Sequence, residues 1–323
     1  VVSEVGMTRT LAIVLLVSFN MAGEAVAQLS LGSIDSAVTI DFSDFSGGGF
    51  APTPGLGQLD SDTWKATGFS DGNMTFGDTK DTGDFAGGLK SAAVGIGGVY
   101  AFDHGGGDLG LGVQPGGTDF TPGSFVLKIA NDTNAEITSL ELSYSLWVRN
   151  DGARQNSWKF SYSTDDSSYT NVAELDYASP AASDGNGWTE VPRSTTIDSL
   201  TLANGDNLYM AWTGDDVSGS GSRDEFAIDS ISITPRALDY VATKLQVGPH
   251  AMSVVPNDAF ALSFEAVDAS GHLDVDYVGT VSLTRTSGTG VLSSASNPSL
   301  IKAAVAGVVT WTDLKYSKVE TFE

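Results

Sequence analysis

The sequence predicts an all-β fold, and three observations carry that prediction. Short runs rich in β-branched and aromatic residues recur along the chain, each bounded by Gly, Asp, Asn, Ser or Pro, a pattern typical of strands joined by tight turns. Apolar and polar residues alternate within these runs, as in 140–145, which indicates one buried and one wetter face. Beyond the N-terminal region, we find no long apolar stripe at helical spacing, and the 38 glycines among 323 residues argue against long helices.

The predicted strands fill most of the chain after residue 37. The clearest ones in the first two thirds are 38–42, 99–102, 124–130, 137–149, 158–163, 208–212 and 226–233. Short Gly- and Asp-rich connections favour antiparallel pairing, and this many short strands close into a barrel or stack as two sheets. We predict a jelly-roll-like antiparallel β-sandwich over residues 28–236. A β-propeller is the main alternative, but no blade-length repeat is visible.

The N-terminus, residues 1–27, has the pattern of a secretory signal peptide. Arg9 precedes the apolar run 11–19, and Ala25-Val26-Ala27 supplies a small-x-small cleavage pattern before Gln28. Met7 is interpreted as the initiator, which makes residues 1–6 upstream sequence. The run is shorter than the ~20 residues that span a bilayer, so the mature chain is expected to have no transmembrane segment and to be secreted or at the cell surface.

Composition excludes several classes of function. The chain has no Cys, which removes disulfide scaffolds, thiolate metal sites and cysteine nucleophiles and fits a bacterial exported protein stabilised by its core. Its 40 acidic against 16 basic residues give a net charge of −24, which disfavours nucleic acid as a partner. Acidic loops rich in Gly and Asp favour hard cations, so calcium is the expected cofactor if there is one.

A domain boundary is predicted at Thr234-Pro235-Arg236. The charge balance is −21 over residues 1–240 and −3 over 241–323, and the second segment has its own strands at 242–247, 259–267, 279–284 and 307–312. Its stretches "VDASGH" and "GTVSLT" resemble a bacterial immunoglobulin-like module. The resemblance implies a sandwich of seven strands in ~100 residues. Residues 237–323 are shorter, so we expect a partial immunoglobulin-like β-sandwich, incomplete at its C-terminus and followed by further modules.

The first domain resembles a β-sandwich domain of secreted modular proteins from marine and environmental bacteria. The blocks that carry the resemblance are "GVQPGGTDFTPGSF", "VRNDGARQNSWKFSYSTDD" and "GSGSRDEFAIDSISI", within residues 38–234. The resemblance implies export, neighbouring immunoglobulin-like, lamin-tail-like or nuclease modules, and no established catalytic role. Relatives tend to have a second acid after the one at Asp229, whereas this chain has Ser230, which weakens any role that needs paired acids there.

Three groups of acids are candidate calcium ligands, because calcium takes carboxylates from polar loops. They are Asp78, Asp81 and Asp84; Asp215, Asp216 and Asp224, with Glu225 beside them; and Asp41 with Asp229, which meet if the terminal strands pair. The spacing of the first group does not match the EF-hand loop. The alternative interpretation is that these are turn acids that accept hydrogen bonds from backbone amides.

Candidate ligand-binding residues are Trp188, Trp158, Arg149 and Arg154. Indoles flanked by Asp, Asn and Arg suit sugar rings, whose C–H faces pack on a π-face while their hydroxyls need polar partners. Trp188 follows a polar loop and Trp158 begins a strand, so both are candidates for exposure, whereas Trp147 and Trp212 are expected in the core. The two arginines are alternatively ion pairs with nearby acids.

No catalytic constellation stands out in the sequence. Asp103-His104 resembles half of an acid–base pair, but no nucleophile elbow accompanies it. Gly110-Leu111-Gly112 is a fragment of a dinucleotide fingerprint that we interpret as a turn. We therefore expect a non-catalytic modular protein for adhesion or carbohydrate attachment, with glycans or cell-surface polymers as partners. The alternatives are a structural arm of a larger secreted enzyme and a polysaccharide-active enzyme.

Overall fold

The computed structural model describes residues 29–238, 240–249 and 253–321. The predicted signal peptide, Met7 and Gln28 lie outside the described residues. The chain divides between Ala237 and Leu238 into two compact units, here called unit 1 and unit 2. The only helical elements in the described ranges are 3₁₀ turns at Gly83–Phe85 and Ala173–Leu175. None of the described helices has the length and apolar character needed to cross a membrane.

Unit 1 is built from sixteen strands, many of them at the positions that the alternating pattern predicts. Their bounds are β1 Ser30–Leu31, β2 Val38–Ile40, β3 Phe45–Ala51, β4 Gly57–Asp60, β5 Trp64–Thr67, β6 Leu89–Lys90, β7 Gly98–Gly105, β8 Asp108–Gln114, β9 Gly123–Asn131, β10 Ser139–Arg149, β11 Arg154–Ser163, β12 Thr170–Asn171, β13 Tyr177–Ala178, β14 Thr189–Ile197, β15 Asn207–Gly219 and β16 Glu225–Arg236.

Fourteen of these strands form two seven-stranded sheets, and β3 and β4 form a separate two-stranded sheet. The first sheet has the order β1-β9-β15-β11-β12, with β5 also on β9 and β13 also on β11; the second sheet has the order β14-β10-β16-β8-β7-β6, with β2 also on β16. The long strands pair antiparallel, while the short pairs β1–β9, β3–β4 and β6–β7 are parallel. The all-β sandwich that the sequence predicts is confirmed.

The core of unit 1 lies between the two sheets. In β10 every second side chain is buried there: Leu140, Leu142, Tyr144, Leu146 and Val148. Aromatic contacts connect the sheets, since Tyr144 of β10 meets Trp212 of β15 edge-on at 5.7 Å and Trp158 of β11 lies 5.3 Å from Phe226 of β16, measured between ring centroids. The period of two therefore places one face of each sheet in the core and leaves the other face outside.

Strand β8 corrects one prediction. Gly110-Leu111-Gly112 was expected in a turn, but it lies inside this strand, where Leu111 is buried in the core. The glycines face the opposite side of the sheet. A Cβ at Gly112 would overlap the Phe102 ring and lie 2.8 Å from the carbonyl oxygen of Phe226. Glycine is needed here for space under an aromatic ring, and not for a turn.

Unit 2 is a smaller all-β body. Its strands are β17 Lys244–Val247, β18 Phe260–Val267, β19 Thr280–Ser282, β20 Leu292–Ser294, β21 Ile301–Ala303 and β22 Val308–Tyr316. They form a four-stranded sheet, β17-β18-β22-β20, and a two-stranded sheet, β19-β21. The core between them includes Trp311, Leu314 and Val281.

Candidate functional site

The most unusual surface of unit 1 is the side of the second sheet that faces away from the first sheet, here called the outer face. Because Leu140 to Val148 alternate into the core, the residues between them point to this face. On β10 these are Glu141, Ser143, Ser145 and Trp147, and Arg149 follows on the same face. A register shift between β10 and β16 near Ser143 and Ser145 lets both Ile228 and Ile231 reach the core. It leaves Asp229, across from Ser145, on the outer face.

An aromatic cluster covers one end of the outer face. Tyr100 and Phe102 of β7 lie beside Ala227 of β16, with Trp147 and Trp188 packed against them. Phe102 is fully buried although it lies outside the core between the sheets, and its ring is 4.8 Å from the Trp188 ring. The glycines of β8 leave the space that these rings occupy.

Beside this cluster, His104 lies between two acids. Its Nδ1 is 3.6 Å from Asp108 Oδ2 and its Nε2 is 3.8 Å from Asp229 Oδ2. The imidazole stacks on Trp147 with ring centroids 4.1 Å apart and planes 8° apart. Burial lowers the pKa of His104, opposed by the nearby carboxylates, of which Asp108 has the largest effect. Burial also raises the pKa of Asp229, opposed by its hydrogen bonds from Ser230.

A second buried acid, Glu225, lies at the start of β16. Its Oε1 accepts a hydrogen bond of 2.8 Å from the backbone N–H of Val94. It sits directly across from Arg149 on β10, whose own Nε donates to Asp151 Oδ2 at 3.1 Å. Burial raises the pKa of Glu225 to about 7, because a charged carboxylate is costly to remove from water.

Several buried polar atoms of the outer face have no hydrogen-bond partner within the described part of the chain. They are His104 Nε2, Trp147 Nε1, Trp188 Nε1, Glu225 Oε2 and Asp229 Oδ1. Native interiors leave few such atoms unpaired, because each costs free energy. Ten other such atoms lie elsewhere in the described residues, but on this face two acids, a histidine and two indoles lie side by side, so their polar groups are available to something outside the fold.

Trp188 is positioned by a loop that is tied to the end of β10. Residues 181–187 are exposed, whereas Trp188 is partly buried against Phe102. Asn150 holds the loop through two hydrogen bonds. Its side-chain Nδ2 donates to the carbonyl oxygen of Ala182 at 3.0 Å, and its backbone carbonyl oxygen accepts from the N–H of Asp184 at 3.1 Å. The predicted candidate Trp188 thus lies on the outer face, with its indole partly accessible.

Two tryptophans are placed differently from the expectation. Trp158 is a candidate for exposure in the sequence, but it is fully buried in the core, where it stacks on Phe120 at 5.8 Å, so no ligand reaches its ring. Trp147 was expected in the core, but it lies on the outer face against His104. Both tryptophans lie in stretches of strand whose polar and apolar residues do not alternate cleanly. A shift of one residue in the strand pairing turns a side chain to the other face of the sheet, so the sequence does not fix the face of either indole.

The predicted arginines are both in ion pairs. Arg149 pairs with Asp151 on the outer face. Arg154 donates from Nε to Asp216 Oδ1 at 2.7 Å and from Nη2 to Asp216 Oδ2 at 2.5 Å, which joins β11 to β15. This bidentate pair belongs to the first sheet, so Arg154 is separate from the outer face.

The predicted acids of the 215–225 segment are dispersed. Asp216 is held by Arg154, Asp215 accepts from the backbone N–H of Asp216 at 2.7 Å, and Asp224 is buried and accepts from the backbone N–H of Gly152 at 2.9 Å. These contacts are the turn and backbone hydrogen bonds of the alternative interpretation.

The first group of predicted acids is also engaged in turns. Asp78 accepts from the backbone N–H and the hydroxyl of Thr75 at 2.8 and 2.7 Å, Asp84 accepts from Ser70 and Asp71, and Asp81 is exposed. In the third group, β2 does pair with β16, but Asp41 accepts from Ser43 N–H at 3.0 Å while Asp229 faces His104. Calcium binding by any of these acids stays a prediction.

Sequence reasoning missed His104, Asp108, Trp147 and Glu225 as a group. His104 and Asp108 flank the tight turn between β7 and β8, whereas Asp229 is more than a hundred residues later in β16. Only the sheet order β16-β8-β7 brings them together. The one available signal was the pair of glycines in β8 beside an aromatic strand, which is typical of a sheet face with rings lying across it.

The sequence matches no known family model and no curated protein. Among solved structures, the chain is similar to the N-terminal modules of endo-1,4-beta-D-xylanase 10B from Clostridium thermocellum complexed with xylohexaose, with 13% identity over 64% of this chain and 29% of that chain and a TM-score of 0.31. It is also similar to a carbohydrate-binding module specific for non-crystalline cellulose, with 12% identity over 43% of this chain and 80% of that chain and a TM-score of 0.30. A third similar structure is the K3 cleaved adhesin domain of Lys-gingipain from Porphyromonas gingivalis, with 12% identity over 65% of this chain and 98% of that chain and a TM-score of 0.27. The chain thus spans less than a third of the xylanase chain.

Proposed function

We propose that unit 1 binds carbohydrate on the outer face of the second sheet, and that the protein is a non-catalytic attachment module, secreted or at the cell surface. The observation that carries the proposal is the composition of this face. Partly accessible indoles, Trp147 and Trp188, lie at one end beside acids and Arg149. The other end is a strip of hydroxyl groups.

The hydroxyl strip crosses three strands. Ser194 on β14 and Ser232 on β16 lie on either side of Ser143 on β10, and Thr196 and Thr234 lie on either side of Glu141. These residues line an open groove, in which the Glu141 carboxylate is paired with Arg236. From Ser143 to Trp147 the strand advances by about 14 Å at ~3.4 Å per residue. The face therefore offers an extended polymer hydroxyl partners along its length and an aromatic ring at its end.

The chemistry of the two ends suits a sugar chain. The apolar C–H face of a pyranose packs on an indole, and its hydroxyls pair with carboxylates, with Arg and with Ser and Thr. Ser145, between the two ends, already donates to Glu190 Oε1 at 2.6 Å, so this part of the face is polar and held in place. A polar, rigid floor with a ring at one end favours recognition of an extended glycan.

The non-catalytic part of the proposal is supported by the surroundings of His104. Among the described residues, Nε2 of His104 has no hydrogen-bond partner, so no Ser or Thr hydroxyl is placed to give up a proton to it. The net charge of −24 repels anionic polymers, so neutral or cationic polysaccharides are the preferred ligands.

We expect the Trp188→Ala variant to lose glycan binding. Screening the protein against a panel of soluble glycans and insoluble polysaccharides, with calcium and with chelator, is expected to reveal saturable binding. In Trp188→Ala the affinity for the best ligand is expected to fall by about tenfold or more, which corresponds to ~1.4 kcal/mol, whereas Trp188→Phe retains a ring and most of the binding.

Phe76→Ala is the matched control, because Phe76 is a partly exposed ring in a turn that packs against the first sheet, 5.9 Å from Tyr209 of β15. This variant is expected to bind like the wild type. Equal losses in Phe76→Ala and Trp188→Ala, or no binding to any member of the panel, would contradict the proposal.

A further inference from the structure

We propose that His104, Asp108 and Asp229 bind a divalent transition-metal ion such as Zn²⁺. One ligand atom from each of the three residues lies within 4.8 Å of the others, and this is the one such group of three or more among the described His, Asp and Glu residues. The site is independent of the proposed glycan binding, because its evidence is the geometry of these three side chains alone.

The site contains buried polar atoms that need a partner. The side chains of His104 and Asp229 are 1% and 3% exposed, yet His104 Nε2 and Asp229 Oδ1 have no hydrogen-bond partner among the described residues. Ser230 donates to the other oxygen of Asp229, at 3.1 Å. A buried carboxylate oxygen and a buried imidazole nitrogen that both lack a partner destabilise the fold. A cation shared between them would offset this cost.

The ligand set determines the class of ion. An imidazole nitrogen with two carboxylate oxygens suits Zn²⁺ and neighbouring transition metals, which bind nitrogen at ~2.0–2.1 Å and oxygen at ~2.0–2.2 Å. Calcium prefers six to eight oxygen ligands, which this group does not supply. Two carboxylates also neutralise the charge of a divalent ion.

Small movements bring the three ligands to an ion. Asp108 Oδ2 is 3.6 Å from Nδ1 of His104, and Asp229 Oδ2 is 3.8 Å from Nε2, so the two carboxylates approach different ring nitrogens. Asp108 is 63% exposed, so it is free to rotate, and it forms the entrance to the otherwise buried site. The ion binds Nε2 of His104 and Asp229, and Asp108 rotates to reach it, since one ligand atom from each of the three residues already lies within 4.8 Å of the others.

Calorimetric titration of the chelator-treated full chain with ZnCl₂, with CaCl₂ and MgCl₂ for comparison, tests the proposal. We expect saturable binding of about one Zn²⁺ per chain that raises the melting temperature of the wild type. His104→Gln and Asp229→Asn are each expected to lower the affinity by roughly tenfold or more, since even outer partners of a metal site contribute ~10–100-fold.

Two further variants keep the test decisive. Asp108→Asn removes a ligand from an exposed position without disturbing the stack of His104 on Trp147, so it lowers zinc affinity even if the buried variants fail to fold. His272→Gln is the matched control, because His272 forms an exposed pair with Asp268 in unit 2 at 3.1 Å, and its zinc affinity is expected to equal that of the wild type.

Stacking on Trp147 adds a second readout, since Cu²⁺ or Ni²⁺ at His104 quenches the adjacent indole. We expect this quenching to saturate with metal in the wild type and to disappear in Trp147→Phe. Zinc binding that is equal in the wild type and Asp108→Asn, or binding that never saturates, shows only adsorption to an acidic surface and overturns the proposal. If zinc leaves the melting temperature of the wild type unchanged, the three side chains hold only a proton, and the proposal is overturned as well.

Discussion

The Trp158→Ala variant is expected to lower the free energy of unfolding of unit 1 by about 3–5 kcal/mol, the usual range for truncating a buried Trp. Trp158 is fully buried, and its ring contacts Phe120 in the loop before β9 and Phe226 of the second sheet, at 5.8 and 5.3 Å between ring centroids. Alanine removes these contacts and leaves a cavity between the sheets. Urea denaturation followed by circular dichroism measures the loss.

The Trp158→Phe and Trp188→Ala variants are the controls. Phenylalanine keeps much of the ring packing and removes an indole N–H that has no hydrogen-bond partner in the described residues, so its loss of stability is expected to be smaller. Trp188→Ala removes a partly buried ring at the surface and is expected to change binding more than stability. A fully stable Trp158→Ala protein would show that this indole is not part of the core.

The Glu225→Gln variant is expected to remove a pH-dependent loss of stability. The folded-state pKa of Glu225 is about 7 because of burial, whereas an ordinary Glu has a pKa of ~4.3. Below pH ~4.3 the residue is protonated in both states, and above that the unfolded state releases its proton first. The folded state then holds more protons, so the free energy of unfolding falls as the pH rises toward 7 and stays lowered above it.

In Glu225→Gln this contribution is absent, while the amide oxygen still accepts from the N–H of Val94. The variant is therefore expected to be more stable than the wild type above pH 7, by on the order of 3 kcal/mol, and the difference should shrink toward pH 4. Denaturant melts at several pH values measure it. Glu136→Gln is the control, because it removes the same charge from an exposed position, and its stability is expected to vary with pH as in the wild type. If the free energy of unfolding has the same pH dependence in all three proteins, the pKa of Glu225 is not raised.

The alternation of apolar and polar residues predicted best those strands that have one strongly apolar face and one polar face. In β10 the apolar residues from Leu140 to Val148 occupy every second position, so the period of two is readable from the sequence alone. Strand β14 has no such contrast, because Pro192 and several Ser and Thr residues interrupt it. It lies at the edge of the second sheet, where proline and polar residues are tolerated because one side of the strand is not paired.

The candidate site is less predictable than the strands because its residues come from separate parts of the chain. Trp188 was identified from its loop and Asp229 from its strand, and both lie on the outer face. For His104 only the nearby acids are visible in the sequence, since its distant partner Asp229 reaches it through the pairing of β16 with β8 and of β8 with β7. Long-range sheet order decides which side chains meet, and a single sequence gives little information about that order.

Hydroxyl-radical footprinting of the protein with and without its best-bound polysaccharide tests glycan binding on the outer face most directly. We expect protection of Trp147 and Trp188 on the outer face, and unchanged reactivity of Phe76 and Tyr209, because Phe76 packs on Tyr209 of the first sheet, away from the outer face of the second. Protection of Phe76 and Tyr209 with no change at Trp147 and Trp188 would contradict the proposed site.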